Sequence, residues 1–262
     1  MIKHKIGNIK ALLAACRAAV LAMIFVAVTA PQALAVNFSS EKLNYEVVYH
    51  WGIIWKHAAN ATLSINRSGN GYNAMLVGRT RSWADKIYPV RDTLRCTMAS
   101  DLTPRSYQKL THEKSYYARD VVKFTYSNGT TRGTCSRYRP GKATQSTQVA
   151  ARGRAYDMLS VFYMLRNLNF GSMTTGKSFR TTIFSGKEKE NLSITYRGVT
   201  TVKLRNGKQH KAYHVTFTFT QDGGTKSSDG IDAYLSIDER RIPLLLVGKL
   251  PVGEVKVYYA GT

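Results

Sequence analysis

From Glu41 to the C-terminus the sequence keeps returning to a two-residue alternation of apolar and polar side chains, and few folds accept that pattern. Leu43, Tyr45, Val47 and Tyr49 alternate with Lys42, Asn44 and Glu46, as in a strand with one buried face. Similar runs recur at 61–65, 72–77, 93–98, 121–126, 179–184, 192–196, 200–204, 213–219, 233–237 and 255–259. Ser68-Gly69-Asn70-Gly71, Asn128-Gly129 and Asn206-Gly207 stand between such runs. Asn-Gly supplies the positive φ that tight hairpins need, so neighbouring strands are antiparallel. Asp222-Gly223-Gly224 and Ser228-Asp229-Gly230 mark a longer loop.

One segment changes period. Over 156–168, Met158, Leu159, Phe162 and Leu165 share a helical face, and Val161, Tyr163 and Met164 leave little of the other side polar. Such a helix is buried or covers an apolar opening, and Gly171 follows as its stop. Strands in series must hide their edges, and closing or strongly curving the sheet does so. The expected fold is therefore mainly β: an antiparallel, strongly curved sheet forming a barrel or half-barrel, with one helix against its concave side. A two-sheet sandwich is the alternative.

The N-terminus reads as an export signal. Lys3, Lys5, Lys10 and Arg17 precede an uncharged stretch, 18–30, and Ala33-Leu34-Ala35 offers a cleavage site. The apolar stretch is shorter than the roughly 20 residues of a spanning helix. Cys16 precedes this stretch, whereas a lipid-modified cysteine would follow one. The expectation is a cleavable signal peptide at 1–35, a single β-rich domain at 36–262 with no transmembrane span, and a location in the periplasm of a Gram-negative bacterium.

Without the leader's four basic residues, 34 Lys and Arg face 16 Asp and Glu, a net charge of +18. Such a field attracts polyanions, and outside the cytoplasm these are anionic lipid or glycan rather than nucleic acid. Between Asp120 and Asp157 there is no acid, while Lys123, Arg132, Arg137, Arg139, Lys142, Arg152 and Arg154 all occur. A solvated face accounts for this run as well as a binding surface does. Cys96 and Cys135 are expected to form a disulfide in an oxidising compartment, on condition that their strands are neighbours; the bridge would contribute roughly 4 kcal/mol.

Enzyme signatures fail for want of parts. Gly171 to Ser178 matches the phosphate-loop pattern G-x-x-x-x-G-K-[ST], but a helix precedes it and a strand-like run follows, the reverse of the required order. His210 and His214 on a strand lie about 13 Å apart and cannot grip one ion. No Gly-x-Ser-x-Gly elbow occurs, carboxylates are scarce, and no cofactor or metal is expected. Trp51, Trp55, Trp83 and sixteen tyrosines supply amphipathic rings; most serve core packing. Trp51, Trp83, Tyr163 and Arg166 are the candidates to meet a ligand.

Three stretches resemble a bacterial exported family known as domain of unknown function 3108. They are Glu41-Lys-Leu-Asn-Tyr-Glu-Val-Val-Tyr-His-Trp-Gly52, Tyr156-Asp-Met-Leu-Ser-Val-Phe-Tyr-Met-Leu-Arg166, and Tyr234-Leu-Ser-Ile-Asp-Glu-Arg-Arg-Ile-Pro243 through Gly253-Glu-Val-Lys-Val-Tyr258. The resemblance implies a periplasmic β-rich protein and supplies no catalytic residues. Asp157 and Arg166 fall near the two ends of the helix motif, where the helix dipole gives each a structural role. The expected function is non-enzymatic binding of an apolar or anionic amphipathic envelope molecule in the curved sheet, through a pocket near the roughly 300 Å³ lower bound of ligand sites. The alternative is an envelope structural or interaction protein with a basic face toward anionic glycan or lipid. Oligomeric state is not legible.

Overall fold

The computed structural model describes residues 38, 40–186, 188–224, 228, 230–249 and 253–262, without the side chains of Trp51 and Ile54. The expected leader at 1–35, with Cys16 and the Ala33–Ala35 site, lies outside them.

The elements in chain order are β1 (Glu41–Trp51), β2 (Ile54–Ser68), β3 (Gly71–Thr80), a helical turn α1 (Ser82–Asp85), β4 (Arg91–Ala99), β5 (Pro104–Glu113), β6 (Tyr116–Ser127), β7 (Thr130–Tyr138), β8 (Gln145–Arg152) and β9 (Ala155–Tyr156). Then follow α2 (Ser160–Arg166), a 3-10 turn (Phe170–Ser172), β10 (Ser178–Phe184), β11 (Lys189–Lys203), β12 (Gln209–Gln221), β13 (Ile231–Ser236), β14 (Pro243–Lys249) and β15 (Glu254–Gly261).

All fifteen strands of the described residues belong to one sheet, ordered β8-β7-β6-β5-β4-β3-β2-β1-β15-β14-β13-β12-β11-β10-β9. The closing partnership is β1 with β15, antiparallel from His50↔Glu254 to Asn44↔Gly261. β8 and β9 sit at opposite edges of this order, yet only Gly153 and Arg154 separate them in the chain. Arg152 and Ala155, three steps apart along the chain, lie at most about 11 Å from each other, so the sheet must curl until its edges meet. Buried Thr131 stitches that seam: its hydroxyl donates to the Gly153 carbonyl at 2.6 Å and accepts from the Ala155 amide at 3.3 Å. The result is a nearly closed barrel and not a sandwich.

Sequence and structure differ in instructive places. The runs at 192–196 and 200–204 are one strand, β11, bent by a bulge between Tyr196 and Gly198 where Gly198 takes φ +101°. The expected helix at 156–168 is shorter, because Tyr156 pairs with Ile183 in β9–β10 and the helix ends at Arg166. The helix therefore stops before Gly171, which lies in the 3-10 turn. A second helix, α1, caps the β3–β4 connection.

α2 packs inside the sheet. Leu159, which caps its start, and Tyr163, four residues on, join a core with Leu43, Ile65, Met98, Tyr107 and Val122. Val161 and Leu165 join a second core with Ile183, Leu192, Ile194, Val215 and Leu235. A helix apolar on both sides thus separates two inward-facing surfaces of the same sheet. Each fully buried side chain of this kind stabilises by roughly 1.5–3 kcal/mol.

The expected disulfide is not formed: Cys96 and Cys135 are both buried free thiols. The ladder explains why. Cys96 pairs with Tyr107, Tyr107 with Val122, and Val122 with Cys135. Three interstrand steps of about 4.8 Å place the cysteines about 14 Å apart along the sheet, twice the Cα separation a disulfide spans.

Candidate functional site

The inner surface of β10–β14 does not close on α2. Met158, Val161, Phe162 and Leu165 face Ile183, Leu192, Ile194, Phe217, Phe219, Ile231 and Leu246 across a cavity of about 180 Å³. Every lining side chain is apolar. The strand alternation makes this wall: Leu192 pairs with Phe219, Ile194 with Phe217, and Phe217 with Ile231, so one apolar row crosses three strands. In the same core, outside the cavity lining, Phe170 stacks on Tyr213 with centroids 4.7 Å apart and contacts Tyr196.

The cavity is smaller than the ligand pocket expected from sequence, because α2 itself fills the concave space on the side of β1–β8. Apolar cavities of about 150 Å³ stay dry and accept a benzene-sized guest. This one has room for a single ring or the end of one alkyl chain. A second, polar groove of about 430 Å³ lies at the seam, between Gln148–Ala150 of β8 and Glu188, Lys189, Gln221 and Asp222. Lys189 and Asp222 form an ion pair across part of it at 3.0 Å.

Arg166 fixes the C-terminal end of α2. It is 1 % exposed, donates to both carboxylate oxygens of Glu41 at 2.7 and 3.0 Å, and donates to the Arg240 carbonyl at 3.2 and 2.8 Å. The rings of Phe38 and Tyr163 lie against its guanidinium. Tyr163 donates to the Ser64 carbonyl at 3.2 Å and meets Phe38 edge-on at 5.3 Å. Both residues therefore tie the helix to β1, β2 and the β13–β14 turn, and neither lines the apolar cavity. Asp157 precedes the helix, fully buried. Its Oδ1 accepts from the Leu159 and Ser160 amides, each at 2.8 Å, while Oδ2 has no hydrogen-bond partner among the described residues. Desolvation pushes its carboxyl up to about 6.

The four sequence candidates do not form one site. Tyr163 and Arg166 share a buried network, Trp83 is on α1, and Trp51 ends β1 with its side chain outside the described residues. Trp83 is half-buried, donates its indole N–H to the His57 carbonyl at 2.8 Å, and carries Lys56 over its ring. His214, one of the two spaced histidines, bonds to Asp232 at 2.7 Å and stacks on Tyr234. Among the described residues no group of three His, Cys, Asp or Glu is placed to hold a metal ion, and no helix is long and apolar enough to cross a membrane. The cavity wall, apart from α2, was missed as a site. Its signal is the apolar rows of 192–196 and 213–219, which read as ordinary strand interiors until the topology brings them opposite the helix.

These features define a class: a β-barrel-like protein of one curved sheet, filled on one side by a helix and left open on the other. The chain belongs to the family described as Protein of unknown function (DUF3108), whose model matches residues 44–259. The fold is similar to a crystal structure of a beta-barrel-like protein of domain of unknown function DUF1849 from Brucella abortus. That match has a TM-score of 0.58 and 14 % identity, and covers 87 % of this chain and 98 % of the other. No curated protein matches the chain.

Proposed function

We propose that this is an exported, non-enzymatic protein of the cell envelope that takes up the alkyl end of an amphipathic molecule between α2 and β10–β14. The reading places the mature chain at 36–262, in the periplasm of a Gram-negative bacterium. The observation that carries it is the 180 Å³ cavity lined only by apolar side chains. Filling such a space with methylenes gains about 0.8 kcal/mol for each one buried, while a polar guest would lose its hydrogen bonds.

Calorimetric titration with dodecanoate, in the absence of vesicles, tests this. The parent binds, and Ile231→Trp, which extends a half-buried side chain into the space, lowers affinity at least tenfold with an unchanged unfolding midpoint. Equal affinity in parent and variant, or no binding by the parent, refutes the proposal.

A second reading rests on a different surface. The outward rows of β4–β8 carry exposed Arg95, Arg119, Lys123, Arg132 and Arg152, with Ser, Thr and Gln between them. An anionic glycan or lipid surface complements that face. Retention on a heparin column that falls when Lys123 and Arg132 become Ser supports this reading; unchanged retention removes it.

A further inference from the structure

We infer that one rim of the barrel docks on an anionic lipid bilayer. The pairing registers bring the β1–β2 turn, α1 with the link to β4, the β5–β6 turn and the end of β7 to one end of the sheet. Among the described residues ten large apolar or aromatic side chains are exposed, and seven of them, Ile53, Trp55, Ile87, Tyr88, Tyr116, Tyr117 and Tyr138, lie at this end, whereas Tyr126, Val199 and Ile237 do not. Ile53 is 98 % and Ile87 68 % exposed. Side chains so exposed at turn tips contribute nothing to the fold's core, and their concentration at one end marks a contact surface.

The rim is continuous. The Arg81 amide donates to the Ala58 carbonyl, Trp83 reaches the His57 carbonyl, Tyr88 donates to Glu113, and the Lys114 amide donates to the Pro89 carbonyl. Its chemistry is that of a headgroup boundary, where aromatic rings sit at the interface and Lys and Arg stems run along apolar surface to present their charge outward. Lys256 lies over Trp55 at 4.6 Å, Lys56 over Trp83 at 4.9 Å, Lys114 over Tyr88 at 4.9 Å and Arg119 over Tyr138 at 4.4 Å. The acids beside these rings are engaged within the protein: Asp85 by Arg91, Asp92 by the His112 amide, Glu113 by Tyr88, and Glu254 by His50 and Lys256. Exposed Lys56, Lys86 and Lys114 are left to face the partner.

That positive rim, on a strongly basic chain, repels a second copy and attracts anionic headgroups. Protruding tips fit a deformable lipid surface better than a flat protein face. Phe219 and Ile231, in the wall of the apolar cavity, lie toward this same end through Ile231↔Gly248 and Lys249↔Glu254. The rim's docking does not depend on the cavity's being occupied.

The test is sedimentation of the processed protein, its mass checked for loss of the leader, with vesicles of phosphatidylcholine alone or mixed with phosphatidylglycerol. The parent sediments with the mixed vesicles, and raising salt from about 0.1 M to about 1 M, which shortens the Debye length from about 10 Å to about 3 Å, weakens the partition. A triple variant, Ile53→Ser with Trp55→Ser and Ile87→Ser, partitions at least roughly tenfold less and keeps the parent's urea midpoint. Ile237→Ser, at the opposite end, partitions like the parent, as does the cavity variant Ile231→Trp, which separates this inference from alkyl-chain uptake. Three results would overturn it: no sedimentation of the parent with anionic vesicles, a triple variant that sediments equally well, or a parent oligomer that the triple variant converts to monomer, which would make the rim an interface between copies.

Discussion

Replacing Arg166 by Met removes the fastening that holds α2 within the sheet. The guanidinium is 1 % exposed and the Glu41 side chain 10 %, so the pair is desolvated and geometrically paired through two bonds. Without Arg166, Glu41 keeps among the described residues only the ion pair with Arg240, at 3.2 Å, and that arginine is 53 % exposed and so contributes little. Stranding one member of a buried pair costs about 3–5 kcal/mol, and the Arg240 carbonyl loses two donors as well. Against a total stability of about 5–15 kcal/mol this is a large loss. Glu41→Met strands the opposite charge and costs a similar amount. The double variant removes both charges and retains chiefly the cost of an unsatisfied carbonyl, about 1–3 kcal/mol. Urea unfolding followed by circular dichroism, read as a double-mutant cycle, gives the coupling directly. We expect the two single losses to exceed the double loss by at least about 2 kcal/mol. An Arg166→Met loss below about 1 kcal/mol, or strictly additive losses, would refute the buried clamp.

Two further outcomes follow from buried groups. Asp157 ionises at about 6 when folded and near 4 when unfolded, so between those values the folded state holds the extra proton. Stability therefore falls by about 3 kcal/mol as pH rises from 4 to 6 and levels off above 6; Asp157→Asn flattens that segment of the urea midpoint against pH, and an unchanged slope assigns it to another group. In the processed protein, without the leader that carries Cys16, Cys96 and Cys135 each take up one alkylating label after unfolding without reductant, seen as two additions by mass. Protection of both until reductant is added would contradict the register that separates them.

Much of the fold was legible because one-sided strands advertise themselves. β6 alternates buried Ala118, Asp120, Val122 and Phe124 with more open neighbours, and Asn128-Gly129 takes the two positive φ angles of a tight turn into β7. Of the strands missed, β7, β8 and β14 lack that pattern for physical reasons. β8 is an open edge, and most of its side chains are exposed. β7 faces inward with Thr131, Gly133 and Cys135, small because a Cβ at Gly133 would come within 2.7 Å of the Phe184 ring. β14 is apolar on both sides: Leu244 and Leu245 enter one core, and Leu246 packs against the other. The two-sided apolar character of α2 was visible, and the structure gives each side a core. The cavity was not visible, since its wall comes from separate strands that only the pairing order sets opposite Phe162. The buried partners of Arg166, Glu41 and Arg240, are far away in sequence and could not be paired with it by spacing.

Methyl NMR tests, at the residues concerned, the proposed uptake of an alkyl chain between α2 and β10–β14. With Ile methyls labelled, adding dodecanoate should shift Ile183, Ile194 and Ile231, which line the cavity, and leave Ile65 of the other core and Ile237 of the opposite end in place. Shifts confined to surface methyls, or no shift at any concentration below micelle formation, would contradict it.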